Sequence, residues 1–292
     1  MGASAAMEDP STTAFIDPRH SPDPPCRVTT PAPAPEPAAL EELLDLCRAG
    51  RIYAVETWIR AGKPIWLDAG PKRPGRPPQT PLGIAIESGQ YDLTVLLLAN
   101  GYPISTVDDF FFESLLWDRK FAYFDLLVAW GVDILRASPG TILDTYSLAL
   151  FDRYEAAGGD LTRGHALGRM LGGHSSNRPA YGWAKRHNAE PRIARELAVA
   201  LGIAIRKGSE RTVALLLWAG ADPRIPAPYV DPDFHRRSGT DESEEEDDEC
   251  GSAISDAVIC GKGKLLARLK PDPARDDFET LWGQVRDCDS ID

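Results

Sequence analysis

Residues able to do chemistry are present in this chain, but none stands at a catalytic spacing. Gly261-Lys262-Gly263-Lys264 has the composition of a phosphate-cradling loop. It lacks the G-x-x-x-x-G-K-[ST] and G-x-G-x-x-G spacings that aim backbone N–H groups at a phosphate, and it reads as a turn between two helices. His20, His165, His174, His187 and His235 include no H-E-x-x-H pair that would set two imidazoles on one helix face. Cys26, Cys47, Cys250, Cys260 and Cys288 are odd in number and contain no C-x-x-C, so neither a zinc ribbon nor a redox motif is expected. Adjacent carboxylates at Asp108-Asp109 and Asp276-Asp277 fall at turns and helix starts, where capping is their ordinary role. No G-x-S-x-G or H-R-D set occurs. The expectation is a non-enzymatic protein with no catalytic residue, no metal and no cofactor.

The elements around these residues repeat. In the stretch Leu201–Ile225, Leu201, Ile203, Ala204 and Ile205 form one short apolar helical pattern ending at Gly208. Val213, Leu215, Leu216 and Leu217 form a second, ending at Gly220. Apolar residues three and four apart share a helix face, and glycine enters the left-handed conformation that stops a helix. Leu96-Leu97-Leu98-Ala99-Asn100-Gly101 repeats the closing pattern, with Gly89 in the place of Gly208. Closing positions then fall at Gly62, Gly101, Gly131, Gly158, Asn188 and Gly220, with Asn188 expected to replace glycine in a left-handed cap. A helix pair of this size cannot bury its apolar face alone, so stacked copies are required.

Thr80-Pro81-Leu82-Gly83-Ile84-Ala85 and Gly220-Ala221-Asp222 resemble the opening T-P-L-H-x-A and closing G-A-D of the ankyrin-repeat family. Steps of 39, 30, 27, 30 and 32 between closing positions bracket that family's period of about 33. The resemblance covers roughly residues 40–270, and its first repeat is similar to those of divergent bacterial ankyrin proteins. It implies an all-α fold, an ankyrin-repeat α-solenoid of about seven stacked helix-turn-helix units closing near 62, 101, 131, 158, 188, 220 and 270. Gly83 and Gly202 stand where the family carries a histidine that ties neighbouring turns together. The resemblance also implies a protein-interaction scaffold whose partner sits on the fingers and on the exposed end of each first helix. That template picks out Arg48, Glu87, Trp117, Asp118, Arg206 and Lys207 as partner-binding positions.

Outside the array (38–286), residues 1–37 are rich in Pro and Ala and are expected to be a disordered tail. A Pro-rich basic loop is placed at 66–79, a disordered acidic insertion at 228–250 and a frayed terminus at 287–292. Residues 241–249 hold eight acidic side chains, which supply most of the net charge of −12 and leave the remainder mildly acidic. A chain without a broad positive field is a poor duplex binder, so nucleic acid is an unlikely partner. The alternative is a nucleic-acid-associated or regulatory factor using Lys72, Arg73 and Arg76 in loop 71–78. No run of 18 apolar residues and no apolar leader is present, and the cysteine usage fits a reducing compartment. The expectation is a cytoplasmic monomer. Gly168, Gly172, Gly173 and Gly182 are expected to weaken their helices and make 137–190 the least regular stretch. Cys47 and most of the aromatics of 110–130 are assigned to the core, to which Trp117 does not obviously belong.

Overall fold

A computed structural model describes residues 30–68, 79–228, 230 and 250–271. The basic segment 71–78, the acidic run 241–249 and the helical pattern at 278–285 lie outside the described residues. The protein is mostly helical and divides into two compact units, residues 1–136 and 137–292. The first contains α1 (Glu41–Arg48), α2 (Ile52–Arg60), α3 (Pro81–Glu87), α4 (Tyr91–Ala99), α5 (Asp109–Trp117) and α6 (Phe121–Ala129). The second contains α7 (Pro139–Asp144), α8 (Leu148–Ala156), α9 (Ala166–Gly173), α10 (Arg178–His187), α11 (Pro191–Arg206), α12 (Glu210–Ala219), α13 (Ala253–Ile259) and α14 (Gly263–Leu269).

Local chemistry starts and stops these helices. The side chains of Thr80, Asp108, Ser138, Asn177, Ser209 and Ser252 each accept the N–H three residues ahead, satisfying a donor that the first turn leaves free. Gly62, Gly101, Gly131, Gly158 and Gly220 all adopt positive φ at the ends of helix pairs. Within the pairs, positive φ recurs at Gly50, Gly89, Gly208 and Gly261, but Arg119 and Tyr146 hold the equivalent places with φ of 59° and 58°. The repeat geometry is therefore kept even where glycine has been lost, at the conformational cost a Cβ brings.

In the N-terminal unit α1 packs on α3 and α2 on α4. In the C-terminal unit α7, α9, α11 and α13 contact in series, as do α8, α10, α12 and α14. First helices thus form one layer and second helices another, with Leu43, Val55, Leu97, Phe112 and Phe124 or Phe151, Trp183, Leu197 and Leu216 buried between them. Cys47 is buried as expected, and burial pushes its thiol up to about 12, leaving it neutral.

One hydrogen bond recurs between successive pairs. Gln90 Nε2 donates to the Cys47 carbonyl at 2.9 Å, and Asn177 Nδ2 to the Leu143 carbonyl at 3.0 Å. Lys120 Nζ reaches the Ile86 carbonyl at 3.3 Å. Each donor begins a second helix, and each acceptor lies three residues before the positive-φ turn of the preceding pair, at Gly50, Tyr146 and Gly89. Each of these carbonyls accepts an N–H of its own turn, from Gly50, Gly89 and Tyr146 at 3.1, 3.1 and 3.3 Å, and the side chain from the next pair takes up its second lone pair.

Four expectations are corrected. Asn188 is right-handed, with φ −65° and ψ −15°, and its amide instead donates to the Ala219 carbonyl at 3.1 Å. The reason lies in α11, which starts at Pro191 and absorbs the finger that other pairs carry. Proline at its first position and an unbroken run of good helix formers extend it well upstream of Leu201. The proline-rich tail is not free up to residue 37. Trp66 Nε1 donates to the Pro31 carbonyl at 2.6 Å, the Ala34 N–H donates to the Trp66 carbonyl at 2.7 Å, and Ala34 is buried. The insertion is closed at its base, where β1 (Ala227–Pro228) pairs antiparallel with β2 (Cys250–Gly251).

The fourth correction concerns the glycines of 166–182. A Cβ on Gly172 would meet the Ala200 carbonyl oxygen and Ile203 Cβ at 2.7 Å, and one on Gly168 would meet Val199 at 2.9 Å. These two glycines, one turn apart, let α9 approach α11 closely. The buried Glu196 carboxylate completes the contact, accepting the Gly168 N–H at 2.7 Å and facing His165 Nδ1 at 2.7 Å. A carboxylate is well placed at a helix N-terminus. Gly182 is different, because an added Cβ there would meet nothing within 4 Å.

Two consequences are measurable by urea unfolding. Gly172→Ala should cost about 1–3 kcal/mol through overpacking, whereas Gly182→Ala should stabilise by up to about 1 kcal/mol. Equal effects would show that close approach is not the role of Gly172. Asn177→Ser keeps an oxygen for capping but is too short to reach Leu143, and should lose about 1–3 kcal/mol. An unchanged midpoint would remove the inter-pair bond from the account.

Candidate partner-binding groove

A concavity in the N-terminal unit lies between α3 and α5. It encloses about 240 Å³ and is lined by Gln79, Thr80, Leu82, Gly83, Ile84, Glu87, Tyr102, Thr106, Val107, Asp108 and Phe111. Cofactor and drug-sized pockets begin near about 300 Å³, so this groove suits one long side chain better than a nucleotide. Gly83 creates the space, since it lies in the lining and contributes no side chain. Thr80 Oγ1 accepts the Gly83 N–H at 3.0 Å, and Asp108 Oδ1 accepts the Phe111 N–H at 2.7 Å. These two caps fix the starts of both walls. Tyr102 sits at the base beside the Thr80 and Thr106 hydroxyls, and burial pushes its phenol above the usual range. Glu87 and Asp108 are the charged residues of the lining, which includes neither lysine nor arginine.

Beside the groove, α5 presents aromatic surface. Trp117 is 47% exposed and Phe110 68% exposed, with ring centroids 5.6 Å apart in an edge-to-face arrangement. Trp117 was singled out by register. Phe110 was not singled out: Phe112 is fully buried against Phe124, whereas Phe110 stands two residues away at the helix start. An i, i+7 spacing places Phe110 and Trp117 on the same face. The spacing to Trp117 was the signal that could have found it.

The other positions divide. Glu87 lines the groove, and Asp118 is exposed at the end of α5. Arg48 is exposed at the end of α1, ion-paired to Asp45 and donating to Gln79 Oε1 at 2.6 Å, which brings it to the groove edge. Lys207 is exposed in the C-terminal unit. Arg206 is not an open contact residue. Its guanidinium donates to Asp256 Oδ2 at 2.8 Å and to the Val230 carbonyl at 3.3 Å, and its side chain is 17% exposed. Asp256 lies 50 residues further along the chain, so repeat register alone could not reveal the pair. Gly202 makes room for it, since a Cβ there would meet Asp256 Oδ2 at 2.8 Å and Arg206 Nη1 at 3.2 Å.

Among the described residues no group of three or more His, Cys, Asp or Glu could hold a metal ion, and no helix is long and apolar enough to cross a membrane. No protein-family model matches the chain, and no curated protein matches it.

The Arg206–Asp256 pair gives a pH prediction. Burial outweighs the attraction of Arg206 and holds the Asp256 carboxyl above the usual carboxylate range. A group whose folded pKa is raised favours folding when protonated. Its contribution is present below the unfolded value of about 3.9 and is lost as pH rises through the folded value. The stability of wild type relative to Asp256→Asn should therefore fall as pH rises from about 4 towards neutrality. A difference that stays flat across urea titrations in that range would contradict the assignment.

Proposed function

We propose that this chain is a non-enzymatic protein-interaction module of the ankyrin-repeat type. It binds a partner protein on the first-helix face of its N-terminal unit. The observation that carries this reading is the exposed Phe110–Trp117 pair beside the α3–α5 groove. Large aromatic side chains dominate interface energetics when a partner desolvates them, and here two of them adjoin a cleft sized for a single side chain. The stacked helix pairs, the positive-φ turns and the recurring inter-pair hydrogen bond support the repeat assignment. A surface of this kind is preformed, so binding would sacrifice little conformational freedom.

The test compares proteins captured by wild type, by Phe110→Ala/Trp117→Ala, and by Tyr53→Ala as a control on the second helix of the first pair, where Tyr53 is 70% exposed. The aromatic double variant should lose at least about tenfold of its captured partner, as expected for two central anchors, while the control retains it. Circular dichroism confirms that all three are folded. Identical capture by the double variant and wild type would refute the assigned face.

A further inference from the structure

We infer that the α3–α5 groove is a receptor for one arginine side chain of the partner protein. This deepens the interaction-module reading and rests on it for the identity of the occupant's carrier. The argument comes from two sites at the same repeat position. Gly83 and Gly202 each lie six residues before the positive-φ glycine that ends their helix pair's turn, Gly89 and Gly208. Over Gly202 lies the guanidinium of Arg206, held by the Asp256 carboxylate at 2.8 Å. Over Gly83 the described residues place no such group. The nearest atoms to a Cβ there are Thr80 Oγ1 at 3.0 Å and the Phe111 ring at 4.0 Å, and the remaining space is the groove.

Glu87 takes the position in α3 that Arg206 takes in α11, two residues before the turn glycine. The C-terminal unit thus supplies its own cation at this position, whereas the N-terminal unit supplies carboxylates, Glu87 and Asp108, and leaves the volume above glycine open. The cations nearest the groove are engaged at its rim: Arg48 by Asp45 and Gln79, Arg136 by Asp109 and the Val107 carbonyl, and Lys120 by the Ile86 and Glu87 carbonyls at 3.3 and 3.5 Å. A planar guanidinium offers five donors to the carboxylates of the lining and a flat face to the Phe111 ring, which a compact ammonium does not. The aliphatic stem would rest on Leu82, Ile84 and Val107. The flanking residues of the same partner segment would then extend towards Phe110 and Trp117.

The probe is N-acetyl-arginine amide, with the neutral isostere N-acetyl-citrulline amide as control, titrated into the full chain by amide NMR. Saturable shifts at Gly83, Glu87 and Phe111 are expected for the arginine compound alone, weakening as salt is raised. Glu87→Gln should reduce the affinity roughly tenfold, the loss expected for one hydrogen bond to a charged group. Asp108→Asn retains the cap and should also weaken binding, while Gly83→Leu should abolish it by filling the groove. Equal shifts with citrulline, or binding indifferent to Glu87→Gln and Gly83→Leu, would overturn the inference. That failure leaves the module reading standing on the Phe110/Trp117 capture experiment. Arginine-selective shifts in a protein whose capture ignores those aromatics would uphold the groove and remove the partner reading.

Discussion

A helix that ends inside a stack leaves carbonyl oxygens facing its neighbour, and in this protein the neighbour adds a second donor to the one the turn supplies. Water can satisfy such groups at a free helix end but not in a packed layer. The side chains of Gln90, Lys120 and Asn177 meet the demand from the start of a following second helix. The requirement links distant parts of the sequence. It fixes the offset of one pair against the next and calls for a donor of some length at one position, while leaving the rest of the surface free to vary. Two of the donors are carboxamides on stems of different length and the third is an ammonium, so the constraint is reach and polarity rather than residue identity.

The position six residues before the turn shows how the same scaffold can serve opposite purposes. At Gly202 the missing side chain admits an internal ion pair that joins α11 to α13. At Gly83 it leaves a cleft. Glycine at either place costs helix stability of about 1 kcal/mol relative to alanine. In one case the space is filled by a contact between helices, and in the other it would be filled only on binding.

Much of the architecture was legible in the sequence because glycine marks it so directly. The glycines at 62, 101, 131, 158 and 220 carry the positive φ expected of helix stops, and among the described residues helices lie on either side of them. What escaped was set by contacts between residues far apart in the chain. Gly168 and Gly172 read as helix weakeners until α11 is seen against them, and Arg206 reads as surface charge until Asp256 is seen beside it. Phe110 was hidden among three consecutive phenylalanines, of which only Phe112 is fully buried. Trp66, whose indole holds the proline-rich segment, gave no periodic signal at all.

The short pairing of Ala227 with Gly251 and of Pro228 with Cys250 has a separate consequence for how the protein could change over time. It brings the two ends of the acidic insertion together before α13 begins. Once the ends of a loop are fixed, doubling its length adds only about 0.6 kcal/mol of closure entropy. The segment between these strands is therefore a site where sequence can be lengthened, shortened or exchanged with little effect on the helix pair that follows. The fold holds a port for new sequence, separate from the groove that its own repeats define.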